Sequence, residues 1–70
     1  MAGFEVYRQD GEDQTKIGEA SSEEAAVTIA CSFYEARQAA GESRDLQIVV
    51  VDTALGAIAA YIGGEALNLP

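Results

Sequence analysis

The side chains in this chain that could do chemistry are carboxylates and a single thiol. The sequence holds twelve Asp and Glu, four Lys and Arg, one cysteine and no histidine. Lack of histidine removes the commonest general base and the commonest metal ligand at neutral pH. Cys31 has no histidine to activate it and falls in the middle of an expected helix, away from the helix N-terminus that would favour a thiolate. It reads as a structural or surface thiol. Asp10, Glu12 and Asp13 alternate around Gly11, a spacing faintly like that of a calcium loop. Such a loop needs glycine at its sixth position and a bidentate Glu at its twelfth. Counted from Asp10, those positions hold Thr15 and Ser21, so the run reads as a solvated turn. Gly63-Gly64 lacks both the spacing and the following helix of a phosphate-cradling loop. Paired acids for glycoside cleavage would need a cleft, and 70 residues are too few to form a deep one. The expectation is a non-enzymatic protein with no catalytic residue, no metal ligand set and no cofactor.

Charge narrows the choice of partner. The net charge is -8, which disfavours direct contact with nucleic acid, where cations must replace counterions on phosphate. It disfavours anionic membrane surfaces for the same reason. It favours solubility and fast encounter with a basic partner. A lone cysteine makes no internal disulfide, so the fold does not call for an oxidising compartment. No stretch approaches the roughly 20 apolar residues of a membrane span. Met1-Ala2-Gly3-Phe4-Glu5 lacks the basic and apolar regions of a signal peptide. A cytoplasmic location is the expectation.

The elements that position these groups follow from periodicity. Residues 1–70 form one small domain. Phe4 to Gln9 alternates, with Phe4, Val6 and Arg8 on one face and Glu5, Tyr7 and Gln9 on the other, as in a half-buried strand. Asp10-Gly11 supplies a turn, and Thr15 to Ala20 returns as an edge strand that Gly18 weakens or bulges. Ser21 as N-cap with Glu24 three residues on predicts a capping box and a helix from about Ser22 to about Ala40, with Gly41 just past its end. Ala26, Ile29, Ala30, Phe33 and Ala40 share its buried face, beside the stem of Arg37 and flanked by Val27 and Tyr34. Leu46 to Asp52 is the strongest strand. The last strand runs from Gly56 or Ala57 to Ile62, and residues 62–70 form a short C-terminal tail. The fold class is α+β, in the order β-β-α-β-β: one antiparallel four-stranded sheet with a single helix packed on one face. The expected core is Phe4, Val6, Ile17, Ile29, Phe33, Leu46, Ile48, Val50, Ile58 and Ile62.

Two surfaces stand out as candidates for binding. One helix covers one sheet face, and the other face carries Tyr7, Val49, Val51, Ala59 and Tyr61, with Glu5 and Gln47 at its edge. Apolar and aromatic groups on an uncovered face mark an interaction site, and a homodimer through this open face is the simplest occupant. Two alternatives stand beside this: a register slip of one residue, which would send the set to the core, and a C-terminal tail folded over the patch. The second surface is acidic: Asp10, Glu12, Asp13, Glu19, Glu23 and Glu24, interrupted only by Lys16, are expected to lie in one region.

Ser21-Ser22-Glu23-Glu24-Ala25-Ala26, the Ala-rich helix that follows, and the hairpin from Leu46-Gln47-Ile48-Val49-Val50-Val51-Asp52 through Gly56-Ala57-Ile58-Ala59-Ala60-Tyr61-Ile62 resemble the architecture of small acidic phage-encoded anti-CRISPR proteins. The resemblance covers most of the chain and is one of architecture, with no shared motif from which functional residues could be carried over. It implies an inhibitor that blocks a basic, nucleic-acid-binding effector such as a CRISPR effector complex, sterically or by nucleic-acid mimicry. The alternative is a small dimerising interaction module.

Overall fold

A computed structural model describes residues 3–42 and 45–63. The elements are β1 (Phe4–Asp10), β2 (Asp13–Ala20), α1 (Glu23–Ala39), β3 (Gln47–Asp52) and β4 (Ala57–Gly63). All neighbouring strands pair antiparallel in one sheet of order β2-β1-β3-β4. β1 and β3 are therefore central, and β2 is an edge strand as its composition predicts. β2 and β3 run parallel on either side of β1, and α1 carries the chain across between them.

The first hairpin turns through Gly11 and Glu12. Gly11 has φ +62° and no non-glycine residue among the described residues has positive φ, the pattern of a II′ turn with glycine at its first central position. The second hairpin turns through Thr53 to Gly56. Asp52 Oδ1 accepts the Ala54 and Leu55 N–H groups at 2.9 and 3.3 Å, and its carbonyl accepts from Gly56 N. This is the local side-chain bonding that suits Asp to turns.

The helix begins one residue later than the sequence pattern suggests. Ser22 is the N-cap, and its Oγ accepts the Ala25 N–H at 3.2 Å. β2 runs through Ala20, which pairs with Phe4, so Ser21 is used in the turn between strand and helix. Glu24 then lies at the second helical position, and no reciprocal capping box forms. Both Glu23 and Glu24 still sit in the first turn, where the helix dipole favours them. At the other end Ala40 is the C-cap and Gly41 has φ +92°. Glu42 N donates to Arg37 O and Gly41 N to Gln38 O, the two bonds of a Schellman motif.

The core lies between α1 and one sheet face. Val6, Ala26, Ala30, Leu46, Ile48 and Val50 are buried, with Phe4, Ile17, Ile29, Phe33 and Ile62 packed around them. Ala26 and Ala30 bring the helix close. An added Cβ on Gly18 would come within 3.0 Å of Ile29 Cγ2. Ala40, expected on the buried face, is exposed, because the helix has already ended there.

Ile58 is the other departure. The β3–β4 register shifts between Val50 and Val51, so that Val50 faces Ala60 but Val51 faces Ile58. Ala59 is the extra residue of this bulge. The bulge reverses the alternation and delivers Ile58, 46% exposed, to the face away from the helix. A second shift, at Ile17 beside Gly18, keeps Ile17 against the core. β4 runs to Gly63 and so takes the first two residues assigned to the tail; the rest of the tail lies outside the described residues.

Two substitutions test these contacts by chemical denaturation. Ser22→Ala should cost about 1 kcal/mol, the usual loss of an N-cap, while Ser21→Ala should change stability far less. Gly63→Ala should cost at least ~2 kcal/mol, since a left-handed backbone alone costs an alanine about 1–2 kcal/mol. Its Cβ would also lie 2.5 Å from Leu46 O and collide with the Tyr34 ring.

Candidate functional site

Among the described residues, no helix covers the sheet face opposite α1. Cross-strand pairing sets it out in three rows. Lys16, Tyr7, Val49 and Tyr61 form the middle row, Glu19, Glu5, Val51 and Ile58 the second, and Gln14, Gln9, Gln47 and Gly63 the third. Tyr7, Val49, Val51 and Tyr61, the set read from alternation, are thus brought together on this face. Ala59 is replaced there by Ile58 through the bulge.

The face has two unlike halves. Over β2 and β1 it is a polar network. The Tyr7 hydroxyl donates to Glu5 Oε1 at 2.6 Å. Lys16 Nζ lies 3.2 Å from Glu5 Oε2 and 2.8 Å from Glu19 Oε1. Gln14 Nε2 donates to Gln9 Oε1 at 2.8 Å, and Gln9 Nε2 to Gly11 O at 2.7 Å. Over β3 and β4 it is apolar apart from Gln47, a buried polar residue at its edge. Val49 is only 1% exposed although it faces away from α1, and Tyr7 and Tyr61 are its partners in register on either side. Tyr61 at 54% and Ile58 at 46% stand out to solvent, with Leu55 at 78% on the adjoining turn. Among the described residues the exposed large apolar groups are Ile58, Tyr61 and Leu55, while Val49 is buried. Alternation alone identifies the face; which of its residues are buried is not legible from it.

The polar half holds protons in place. Hydrogen bonding from Tyr7, and then Lys16, lowers the Glu5 pKa, and the same bond to a carboxylate raises that of Tyr7. Tyr7 therefore keeps its proton at neutral pH. Glu19 and Glu5 raise the Lys16 pKa and keep it cationic. An ion-paired lysine and a carboxylate-bound phenol are poor nucleophiles and poor bases. Cys31 is half-buried on the helix. Among the described residues, no group of three or more Cys, Asp or Glu converges on a metal-sized space, and no helix is long and apolar enough to cross a membrane.

The six acids do not form one region. β2 runs from Asp13 to Ala20, so Asp10, Glu12 and Asp13 sit at one end of the first hairpin. Glu19, Glu23 and Glu24 sit at the other, about 20 Å away at ~3.3 Å per residue. The expectation of a single region followed from nearness in sequence; a fully extended strand separates the ends. Two of the six are also paired: Arg8 Nε lies 3.1 Å from Asp10 Oδ1, and Lys16 holds Glu19. Glu12, Asp13, Glu23 and Glu24 take part in no ion pair among the described residues.

Sequence reasoning did not single out the contact that closes the Asp10 end. Arg8 donates from Nη1 and Nη2 to the two oxygens of Glu42 at 2.9 and 2.8 Å, the bidentate geometry of a strong pair. Arg37 Nε lies 3.4 Å from Glu42 Oε1. Glu42 is delivered there by the Schellman turn. The signal available in sequence was Arg8 at a helix-facing strand position with an acid just past Gly41.

No family model matches the chain, and no curated protein or solved structure is significantly similar to it.

The Arg8 pair has a pH signature. Arg8 lowers the Glu42 pKa from 4.5 in the folded state. Its contribution to stability is complete above that unfolded value and is lost as pH falls through the lower folded one. The denaturation midpoint should drop on acidification below about 4.5, the unperturbed value. Glu42→Gln should be less stable at neutral pH and show a shallower acid slope. Parallel acid slopes in the two proteins would assign the pH dependence elsewhere.

Proposed function

We propose that this protein is a non-enzymatic inhibitor that binds a basic surface of another protein, one that otherwise holds nucleic acid, in the manner of the anti-CRISPR proteins whose architecture it resembles. The observation that carries the reading is how charge is distributed. Ten of the twelve acids and all four bases precede Leu46. The bases among the described residues, Arg8, Lys16 and Arg37, all face acids. Glu12 and Asp13 at one end of the first hairpin, and Glu23 and Glu24 at the helix start beyond its other end, therefore present negative charge that no base among the described residues pairs with. Surfaces that hold guide and target strands are lined with Lys and Arg. Two anionic ends about 20 Å apart, the length of a strand, suit a surface that otherwise follows a phosphate backbone.

Competition with target DNA for RNA-guided CRISPR effector complexes tests this. The protein should reduce DNA binding by the complex, and the inhibition should weaken as salt rises. Charge reversal of Glu12, Asp13, Glu23 and Glu24 together should abolish inhibition with the circular dichroism spectrum unchanged. Reversal of the Glu12 and Asp13 pair, or the Glu23 and Glu24 pair, should weaken it partially if both ends engage. Undiminished DNA binding, or full activity of the quadruple variant, would overturn the reading.

A further inference from the structure

We propose, resting on the reading that this protein binds a basic protein surface, that the outer edge of β2 takes up an extended basic segment of that partner as an added strand. Gln14 and Lys16 pair with it through their backbones, and the acids at the two ends of the edge meet its Lys or Arg side chains.

The register of the first hairpin decides which backbone groups face outward. Its two-residue turn, Gly11 and Glu12, makes Asp10 and Asp13 a hydrogen-bonded pair. In an antiparallel ladder such pairs alternate with non-bonded ones. Arg8 and Thr15 are therefore bonded to each other. Gln14, opposite Gln9, and Lys16, opposite Tyr7, turn their N–H and C=O groups away from β1. Among the described residues β2 pairs with β1 alone, and these outward groups meet no backbone partner. The chain on both sides of β2, through Gly11 and Glu12 and through Ser21 and Ser22, is described and leads into β1 and α1. Asp13 to Lys16 are exposed throughout, whereas Ile17 and Gly18, at the register shift, are half-buried. The regular stretch of edge thus runs from the turn to the bulge.

Charge decides what can pair there. Charged residues on an edge strand keep other strands off, but here one sign prevails. Glu12 and Asp13 stand at one end of the edge and Glu23 and Glu24 beyond the other, and none of the four is in an ion pair among the described residues. Lys16, the one cation of β2, is already shared between Glu5 and the exposed Glu19. An acidic strand, including β2 of a second copy, would be repelled. A neutral strand would leave the carboxylates unanswered. A strand with Lys or Arg at both ends gains charge-assisted contacts in addition to the ladder. Strand addition draws affinity from main-chain hydrogen bonds and specificity from the side chains beside them. Asp13 and Glu19 lie about 20 Å apart along β2, so the basic side chains of the segment are about six residues apart.

Amide exchange of the full chain, read by nuclear magnetic resonance, is the test. The probe is a capped peptide with paired lysines at both ends of a Thr-Val-Thr-Val centre. The Gln14 and Lys16 amides should exchange fast in the chain alone and at least about tenfold slower with the peptide in excess. Asp13 and Thr15, already bonded to β1, should change less. The same peptide with its central amides N-methylated keeps its charge and loses the ladder, and should give no slowing; a version ended by glutamates should not bind. Gln14→Pro removes an outward donor, keeps the charge and leaves the bonds to β1 in place. It should weaken peptide binding at least about tenfold, and exchange in the unaltered chain decides the matter should this variant fail to fold. Gln14 and Lys16 amides already slow in the chain alone, or equal binding of the N-methylated peptide, would overturn the proposal. Full inhibition of the effector by a folded Gln14→Pro variant would end strand addition and leave the inhibitor reading standing. Peptide addition at β2 with no effector inhibited would do the reverse.

Discussion

The pairing of β1 with β3 is the contact on which the rest of the structure depends. It sets Val6 opposite Val50 and Arg8 opposite Ile48, and so creates the continuous apolar strip that α1 covers. Without it the two hairpins would each present an apolar face too narrow to exclude water. Ala26 and Ala30 complete the arrangement. Their small side chains let the helix backbone approach the strip closely enough for Ile29 and Phe33 to pack on either side. In a chain this short, where only roughly 60% of the unfolded surface is buried, that close approach provides much of the burial available.

Covering one face has a consequence for the other. The β1–β3 pairing also brings Tyr7 beside Val49, and β4 adds Tyr61 on the far side. Val49 is then dry although it faces away from the helix. The polar network of Glu5, Lys16, Gln9 and Gln14 extends over the β1–β2 side. The remaining exposure is confined to the β3–β4 hairpin, where Ile58, Tyr61 and Leu55 have no such cover. The same division separates charge: ionised groups gather on the first hairpin and the helix, and the second hairpin is nearly neutral. A molecule divided in this way has an anionic part and a nearly neutral, apolar part.

The helix C-terminus links these parts. Gly41 takes the left-handed conformation that ends α1, and the turn it makes carries Glu42 back over Arg8. Helix and sheet are thereby fastened at one end by a bidentate ion pair and along their length by packing. The glycine acts through backbone freedom alone, yet it decides where a carboxylate falls.

Several features were determined by the sequence itself. Period-two alternation in Phe4–Gln9 and Leu46–Asp52, helical spacing through Ala26, Ile29, Ala30 and Phe33, and the turn residues around Gly11 and Gly56 fix the order of elements and nearly all of the core. These are local properties, since side-chain direction along a strand or helix follows from the repeat of the backbone. The open face was legible for the same reason. Strand order, the position of Ile58, the dryness of Val49 and the separation of the acids were decided only by the tertiary structure. A single inserted residue at Ala59 reverses the alternation that sequence reading must assume. Nearness along the chain does not survive an extended β2, which carries Asp13 and Glu19 to opposite ends. Burial of Val49, and the meeting of Arg8 with Glu42, depend on which strands and turns come to lie side by side, and that is settled by pairing over long separations rather than by any local repeat.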